Sequence, residues 1–350
     1  MKVLHIINSL IMGGAEVLVR DSILALHTKH PEIEQHVITI YEDGILYQSV
    51  KDIVKYKCLH ATKLNFILKA GALRRYIISE KIDVVHAHLY DSMIMARLAV
   101  PSKVKFVNTY HTGMHNPSFI HFSQKRLWLD LLTRRRKQSS IFVSCSVKHD
   151  ILKGIHIHEN SDVLYNFPAD GFRPLYHYNN SPKLKIASVG TLRMQKNHIF
   201  SLQAMTAVKD LDVELHILGY GALEKEFQDF IDKTGIKVTL VTNKAVTSEI
   251  LADYDLFMMS SVHEGMSIAL LEAMTTGLPS LLSSIPAFRE IALDAAFYFE
   301  LDTPKKLSDM IRRIHSNKKV LKILSAKAIE YSKQYSIDNY LTKLLFIYHR

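Results

Sequence analysis

The sequence predicts an α/β protein of two doubly wound domains, and three observations predict it. Short, nearly continuous apolar runs such as IDVVHA (82–87) and IFVSC (141–145) read as strands of a parallel sheet covered on both faces. Amphipathic segments of helical period alternate with these runs. The alternation breaks once, over NFPADGFRPLYHYNNSP (166–182), where three prolines, Gly171 and two adjacent asparagines read as an interdomain linker, and then it restarts.

In the first half, KVLHII (2–7) reads as a strand and AEVLVRDSILAL (15–26) as a helix. QHVITIY (35–41) and VKYKCL (54–59) are further strands, followed by the helix FILKAGALRRYIISE (66–80) and the strand IDVVHAH (82–88). The helix SMIMARLAV (92–100), the strand VKFVNTY (104–110), a basic helix over 123–138 and the strand SIFVSCS (140–146) continue the order. After the linker come LKIASVG (184–190), a helix over 197–208, the strand VELHILG (213–219), the helix ALEKEFQDFIDKTG (222–235) and the strand KVTLVT (237–242). A helix near 246–252, the strand DLFMMS (255–260), a helix within EGMSIALLEAMTTGLP (264–279) and the strand PSLLS (279–283) follow. From about 304 onward only helices are expected. The division is therefore a Rossmann-like domain over 1–166, a linker over 167–183, a second Rossmann-like domain over 184–335 and a last helix over 336–350.

Bulk composition agrees with this plan. A chain of 350 residues is long enough for two cores, and 48% hydrophobic with 22% charged residues is a globular balance rather than a disordered one. Cys58 and Cys145 lie far apart, which points to a reducing, cytoplasmic setting and away from a disulfide framework or a thiolate zinc site. The opening MKVLHIINSL is interrupted by His5, Asn8 and Ser9 and reads as a first strand rather than a signal peptide. No run approaches 18 apolar residues, so no transmembrane helix is expected.

The net charge of +10 favours anionic partners: nucleic acid, an anionic membrane or phosphorylated small molecules. The segment SQKRLWLDLLTRRRKQ (123–138) concentrates cations beside Trp128, Leu129, Leu131 and Leu132. It reads either as a basic amphipathic helix on an anionic lipid surface or as a helix docked in its own domain with a solvated basic face. Against nucleic acid, no aromatic-interleaved basic stripe and no recognition motif occurs.

The chemistry-bearing residues follow strands. SSVHEGMSIALLEAMTTGLP (260–279) sets Glu264 and Glu272 in an apolar run, where each carboxylate needs a partner. Glu264 would precede a helix start at which Gly265, Met266 and Ser267 offer backbone N–H groups, and Glu272 would share a helix face with Gly265 and Ile268. After the first strand, Gly13 and Gly14 open a helix. After another, GTLRMQKNH holds Gly190, Arg193 and Lys196, and Gly219 and Gly221 form a third glycine turn. Arg193 and Lys196 are spaced to neutralise a diphosphate. A nucleoside diphosphate sugar supplies both halves of what these sites need, phosphates for a helix start and ribose hydroxyls for the carboxylate.

Two metal-like signals carry less. DLD (210–212) imitates an Asp-x-Asp motif but precedes its strand, and His156 and His158 alternate with no third ligand. No metal site and no cofactor are expected.

The array GGAE, GTLRMQKN, GYG and EGMSIALLEAMTTGLP resembles the family 4 retaining glycosyltransferases of the GT-B fold, in order and over nearly the whole chain. The resemblance implies two Rossmann-like domains facing across a cleft, with the last helix crossing back to the first domain. It implies that Glu272 binds the donor ribose, that Glu264 with the amides of Met266 and Ser267 holds the transferred sugar or its phosphate, and that Arg193 and Lys196 neutralise the leaving diphosphate. Gly13 and Gly14 would approach the diphosphate, His111 would lie beside the donor sugar, and His88 toward the acceptor. Thr191 stands where many relatives have Arg, and Ser267 where many have glycine or proline; the sugar is thereby left open.

The function expected is transfer of a sugar from a nucleotide donor, most simply a UDP-sugar, to a glycan or polyprenyl-linked acceptor in cell-surface polysaccharide synthesis. Three alternatives stand beside it: a sugar-nucleotide epimerase or phosphorylase of the same fold, a non-catalytic scaffold, and a nucleic-acid-binding protein.

Overall fold

The computed structural model describes residues 1–113, 124–135, 137–154, 160–178, 180–242 and 244–350. The chain forms two compact units, one running to Phe167 and taking in Ile337–Arg350, the other Pro168–Ser336.

The first unit opens with β1 (Lys2–Ile7), α1 (Gly14–Lys29), β2 (Glu34–Thr39) and β3 (Lys55–Cys58). It continues through α2 (Phe66–Ser79), β4 (Val84–His88), α3 (Tyr90–Ala99), β5 (Lys105–Tyr110) and α4 (Gln124–Thr133). The elements β6 (Ser139–Phe142), α5 (Cys145–Gly154) and β7 (Ser161–Val163) complete its sheet. Among the described residues the strand order is β3-β2-β1-β4-β5-β6-β7, all parallel. Covered on both sides, β1 and β4 are buried along nearly their whole length, which is why their sequences do not alternate.

The second unit contains β8 (Leu184–Val189), α6 (His198–Thr206), β9 (Val213–Leu218), α7 (Glu224–Thr234), β10 (Val238–Val241) and α8 (Ser248–Ala252). Then come β11 (Leu256–Met259), α9 (Ile268–Thr276), β12 (Ser280–Ser283), α10 (Pro286–Ala292), β13 (Ala296–Phe299), α11 (Pro304–Ser316) and α12 (Val320–Ser332). Its parallel order, among the described residues, is β10-β9-β8-β11-β12-β13. Leu184, Ile186, Leu215, Ile217, Leu256, Met258 and Leu281 point from these strands into one core with Leu307 and Ile311. Each sheet thus reverses its winding between its first and fourth strands, β1/β4 and β8/β11, the switch points beside which such sheets bind ligands.

Four elements escape the sequence reading, α5, β7, α10 and β13, because each is short or sparsely apolar. In α5 only Val147 and Ile151 are buried, and β7 is three residues long. The basic helix is a correction. It ends at Thr133, and Arg134 and Arg135 lie beyond it with their guanidiniums used internally. Arg134 donates to the Tyr110 hydroxyl at 3.0 Å and to Asp130 at 3.1 Å, and Arg135 donates to the carbonyls of Arg97, at 2.7 Å, and Val100. Asp130 in turn pairs at 3.1 Å with Arg97, both side chains being buried.

The last helix, α13 (Ile337–His349), belongs to the first unit and packs on α1. Tyr340 sets its ring edge-on to Phe167, Asp338 pairs with Lys29, and Arg350 donates to Asp162 at 2.7 Å. No helix among the described residues is long and apolar enough to cross a membrane.

Candidate active site

In the second unit the loops after β8 and β11, neighbouring strands at the switch point, are laced together. Lys196 ends a single 3-10 turn (Met194–Lys196), and its ammonium donates to Glu264 Oε1 at 2.7 Å. Ser261 Oγ donates to the same oxygen at 2.7 Å. Gln195 Nε2 donates to the His263 carbonyl at 2.9 Å, and the Val262 N–H donates to the Gln195 carbonyl at 3.0 Å. Ser260 Oγ donates to the Asn197 carbonyl at 2.8 Å and accepts from Ser201 at 2.9 Å. Asn197 supports this geometry by adopting the left-handed conformation, φ 50° and ψ 40°, which an Asn tolerates better than most residues.

The glycines here serve backbone approach. A Cβ on Gly219 would fall 2.0 Å from the Gly190 carbonyl oxygen, and one on Gly221 would fall 2.5 Å from that of Leu192. The loops after β8 and β9 therefore touch main chain to main chain, with Leu192 N–H donating to the Tyr220 carbonyl at 2.9 Å. At Gly190 the missing side chain leaves room for the stem of Lys196, whose Cε would be 3.2 Å from a Cβ.

Glu264, Gly265, Met266 and Ser267 precede α9 rather than lie on it. Ser267 is its N-cap, with Oγ accepting from Leu270 N–H at 3.3 Å. The expected helix face shared by Gly265 and Glu272 thus applies only to Ile268 and Glu272, since the cap holds the chain extended before Ile268. Glu272 is half-buried in the second turn. Arg193 is exposed, and its guanidinium has no partner among the described residues. Lys196 and Glu264 are brought together; Arg193 is not part of that pair.

Sequence reasoning passed over Ser260, Ser261, Gln195 and His198. The imidazole of His198 is buried beside Lys196, and burial first, then that cation, lowers its pKa to about 4.

In the first unit the N-terminus of α1 follows β1. Gly13 is its cap residue, and a Cβ there would meet the Glu16 carboxylate at 2.3 Å, whereas Gly14 has open space around it. The opposite strands carry histidines. His5 and His86 are register partners on β1 and β4, and His88 stands two residues further on the same face. His88 is buried, with ring nitrogens 3.5 Å from His5 and 3.2 Å from His111, so it touches imidazole on both sides. His86 bonds the Tyr348 hydroxyl and Thr109 Oγ1, each at 2.7 Å. Burial lowers the pKa of His5 and of His111 to about 4 and holds His86 and His88 well below the usual histidine value. His5 and His86 were legible only in part: VVHAH gives the shared face of His86 and His88, but His5 joins them through strand register.

Two groups among the described residues bring three metal-ligating side chains together, His5/His86/His88 and Glu34/His36/Glu80. Both nitrogens of His86 are already taken by hydroxyls, and Glu34 pairs with Lys2 at 3.1 Å and Lys55 at 2.8 Å. Of the discounted aspartates, Asp210 pairs with Arg312 at 2.7 Å and Asp212 with Lys237 at 3.6 Å. His156 and His158 lie outside the described residues.

Comparison with known proteins divides along the same units. A family model described as "Glycosyl transferases group 1" matches residues 177–335, and one described as "Glycosyltransferase Family 4" matches residues 12–167. The chain is 20% identical over 338 residues to the O-antigen biosynthesis glycosyltransferase WclY of Escherichia coli, covering 91% of this chain and 90% of that one. It is 22% identical over 324 residues to a GDP-mannose:cellobiosyl-diphosphopolyprenol alpha-mannosyltransferase of Xanthomonas campestris, covering 84% and 82%. Among solved structures, HepE of Anabaena in complex with UDP and glucose superposes with a TM-score of 0.83 at 15% identity, covering 99% of each chain.

Proposed function

The chain belongs to the family 4 glycosyltransferases of the GT-B fold, and on that premise we propose that it is a retaining, metal-independent hexosyltransferase. Its donor is a nucleoside diphosphate sugar, and its acceptor a glycan or lipid-linked saccharide of a cell-surface polysaccharide. The observation that carries this reading is the Lys196–Glu264 pair, which joins the loops after β8 and β11 at the switch point. A cation paired with a carboxylate at a switch point suits a ligand that carries both phosphate and sugar hydroxyls, and this supports the reading. The UDP complex of HepE supports uridine as the base, the mannosyltransferase relative makes GDP the competing base, and the O-antigen relative supports a surface-glycan product.

In this reading Glu272 holds the ribose hydroxyls. Lys196, Arg193 and the N–H end of α9 stabilise negative charge building on the diphosphate. Those cations supply what a divalent ion would otherwise supply, and the paired Asp210 and Asp212 are not called on. Glu264, with the amides of Met266 and Ser267, holds the transferred sugar or its phosphate, and His111 is assigned to the sugar. Gly13 and Gly14 allow close backbone approach to the diphosphate. Because His88 is flanked by imidazoles, we assign it to His111 rather than to the acceptor. As the bond from C1 to the diphosphate oxygen breaks through an oxocarbenium-like state, the acceptor oxygen bonds C1 on the same face. The acceptor proton passes to the departing phosphate oxygen.

A cytoplasmic protein held at the membrane face suits such an acceptor. The exposed Trp128, Leu129, Leu131 and Leu132 of α4 support contact with anionic lipid; Arg134 and Arg135, committed internally, add nothing to it.

Thermal melting against UDP, GDP, ADP and CMP, with Glu272→Ala alongside, tests the donor site. A diphosphate at about 100 times its dissociation constant should stabilise by roughly 2.7 kcal/mol. The expected result is a rise with one nucleoside diphosphate that Glu272→Ala abolishes, together with sugar transfer that survives EDTA and yields the donor's anomeric configuration. No rise with any of the four defeats the reading. Turnover of a nucleotide sugar alone, or with free phosphate, would replace it with the epimerase or the phosphorylase.

A further inference from the structure

On one face of the first sheet three imidazoles stand in series. His5 Nδ1 lies 3.5 Å from His88 Nε2, and His88 Nδ1 lies 3.2 Å from His111 Nε2. At one end of the series His5 Nε2 is buried and has no hydrogen-bond partner among the described residues. At the other end His111 Nδ1 has none among the described residues, and the ring is only half-buried, where β5 gives way to its loop. His86 stays outside the series, because Tyr348 and Thr109 occupy both its nitrogens, but its ring packs on His88 with centroids 4.0 Å apart.

Burial keeps the three rings neutral near pH 7. A neutral imidazole has one N–H and one lone pair, so two hydrogen bonds in series permit two directions only. In the first, His5 Nδ1–H donates to His88 and His88 Nδ1–H donates to His111 Nε2, which leaves the His111 proton on Nδ1. In the second every bond reverses, His111 Nδ1 is bare, and His5 is left with a buried Nε2–H that meets no acceptor. Orphaned buried N–H groups are rarer than under-satisfied acceptors, so the first direction is favoured.

We infer that the partnerless Nε2 of His5 sets the direction of this series, so that His5 and His88 are positioning residues that lock His111 as the Nδ1–H tautomer. His111 then presents a hydrogen-bond donor and accepts nothing from a substrate, which suits it to a hydroxyl lone pair or a phosphate oxygen. This deepens the proposed function and rests on its assignment of His111 to the transferred sugar.

Long-range proton–nitrogen NMR of the full chain, labelled with 15N-histidine, separates protonated from bare ring nitrogens. The His111 signals are identified by their loss in His111→Gln. The expected spectrum at neutral pH has protonated Nδ1 and bare Nε2 at His111 and His88; a protonated Nε2 at His111 overturns the inference. In His5→Asn an amide that can accept as well as donate faces His88 Nε2, so the His111 proton should spread over both nitrogens, and kcat/KM should fall roughly twofold as the competent fraction halves. An unchanged His111 tautomer in folded His5→Asn removes His5 from the role; where that variant does not fold, the wild-type spectrum decides alone. The spectrum needs no donor, so the two readings fail separately: full transfer by His111→Gln defeats the sugar contact and leaves the tautomer lock standing.

Discussion

The hydroxyl of Tyr348, in the last helix, lies 2.7 Å from Nδ1 of His86, in the middle of the first sheet and 262 residues earlier in the chain. Both groups are buried. Burial also drives the Tyr348 pKa well up, so the phenol keeps its proton at neutral pH.

Tyr348→Phe keeps the packing of α13 but leaves a ring nitrogen of His86 without its partner. The expected loss is about 1–3 kcal/mol of unfolding free energy, measured by urea titration at neutral pH. A variant as stable as the parent would mean that this bond contributes nothing net.

Acid should weaken the fold through the same histidines. His5 and His111 have folded pKa values of about 4 against an unfolded value of 6.5, and His86 and His88 are lowered as well. Below pH 6.5 the unfolded chain therefore takes up protons that the folded one refuses. Stability is whole above 6.5 and falls as pH drops toward 4, each imidazole adding about 1.4 kcal/mol per pH unit to the slope while that gap lasts. Urea titrations across this range in wild type and in His5→Phe read the slope, and a shallower slope in the variant is the expected result.

The Lys196–Glu264 pair allows a double-mutant cycle. The Glu264 side chain is 8% exposed, so Lys196→Met leaves a carboxylate supported chiefly by Ser261 and should cost roughly 2–3 kcal/mol. Adding Glu264→Gln should recover much of that stability while transfer stays at least about 100-fold down. Full additivity in the cycle would show that the two groups do not interact.

Asp130→Asn removes the carboxylate that faces Arg97 and Arg134. An uncompensated buried guanidinium should cost about 3–5 kcal/mol. Replacing Arg134 and Arg135 together by Gln should likewise lower the melting temperature, yet leave sedimentation with phosphatidylglycerol vesicles nearly unchanged. Loss of vesicle binding at unchanged stability would instead return these arginines to the surface.

Much of the fold was readable because its signals are local. A parallel strand buried on both faces must be continuously apolar, as Val84–His88 nearly is, and a helix of the 3.6-residue period follows within a few residues. The readings failed where that signal thins out: Ser161–Val163 is too short to show a period, and α10 enters through Pro286, a residue that reads equally well as loop. The basic segment failed for another reason. Charge run and helix look alike in sequence, but α4 stops at Thr133, and beyond it Arg134 turns back to Asp130 of the same helix and to the Tyr110 hydroxyl while Arg135 reaches the Arg97 carbonyl of α3.

By itself the sequence determined the order of strands and helices and the placing of Gly190, Lys196, Glu264 and His111 in loops that follow strands. Tertiary structure alone decided which of them meet. Lys196 reaches Glu264 across 68 residues because β8 and β11 are neighbours in the sheet. His5 reaches His88 because β1 and β4 pair in one register, under which His5 stands beside His86. Periodicity is a property of a few consecutive residues, whereas pairing depends on strand order and register, which no stretch of consecutive residues encodes.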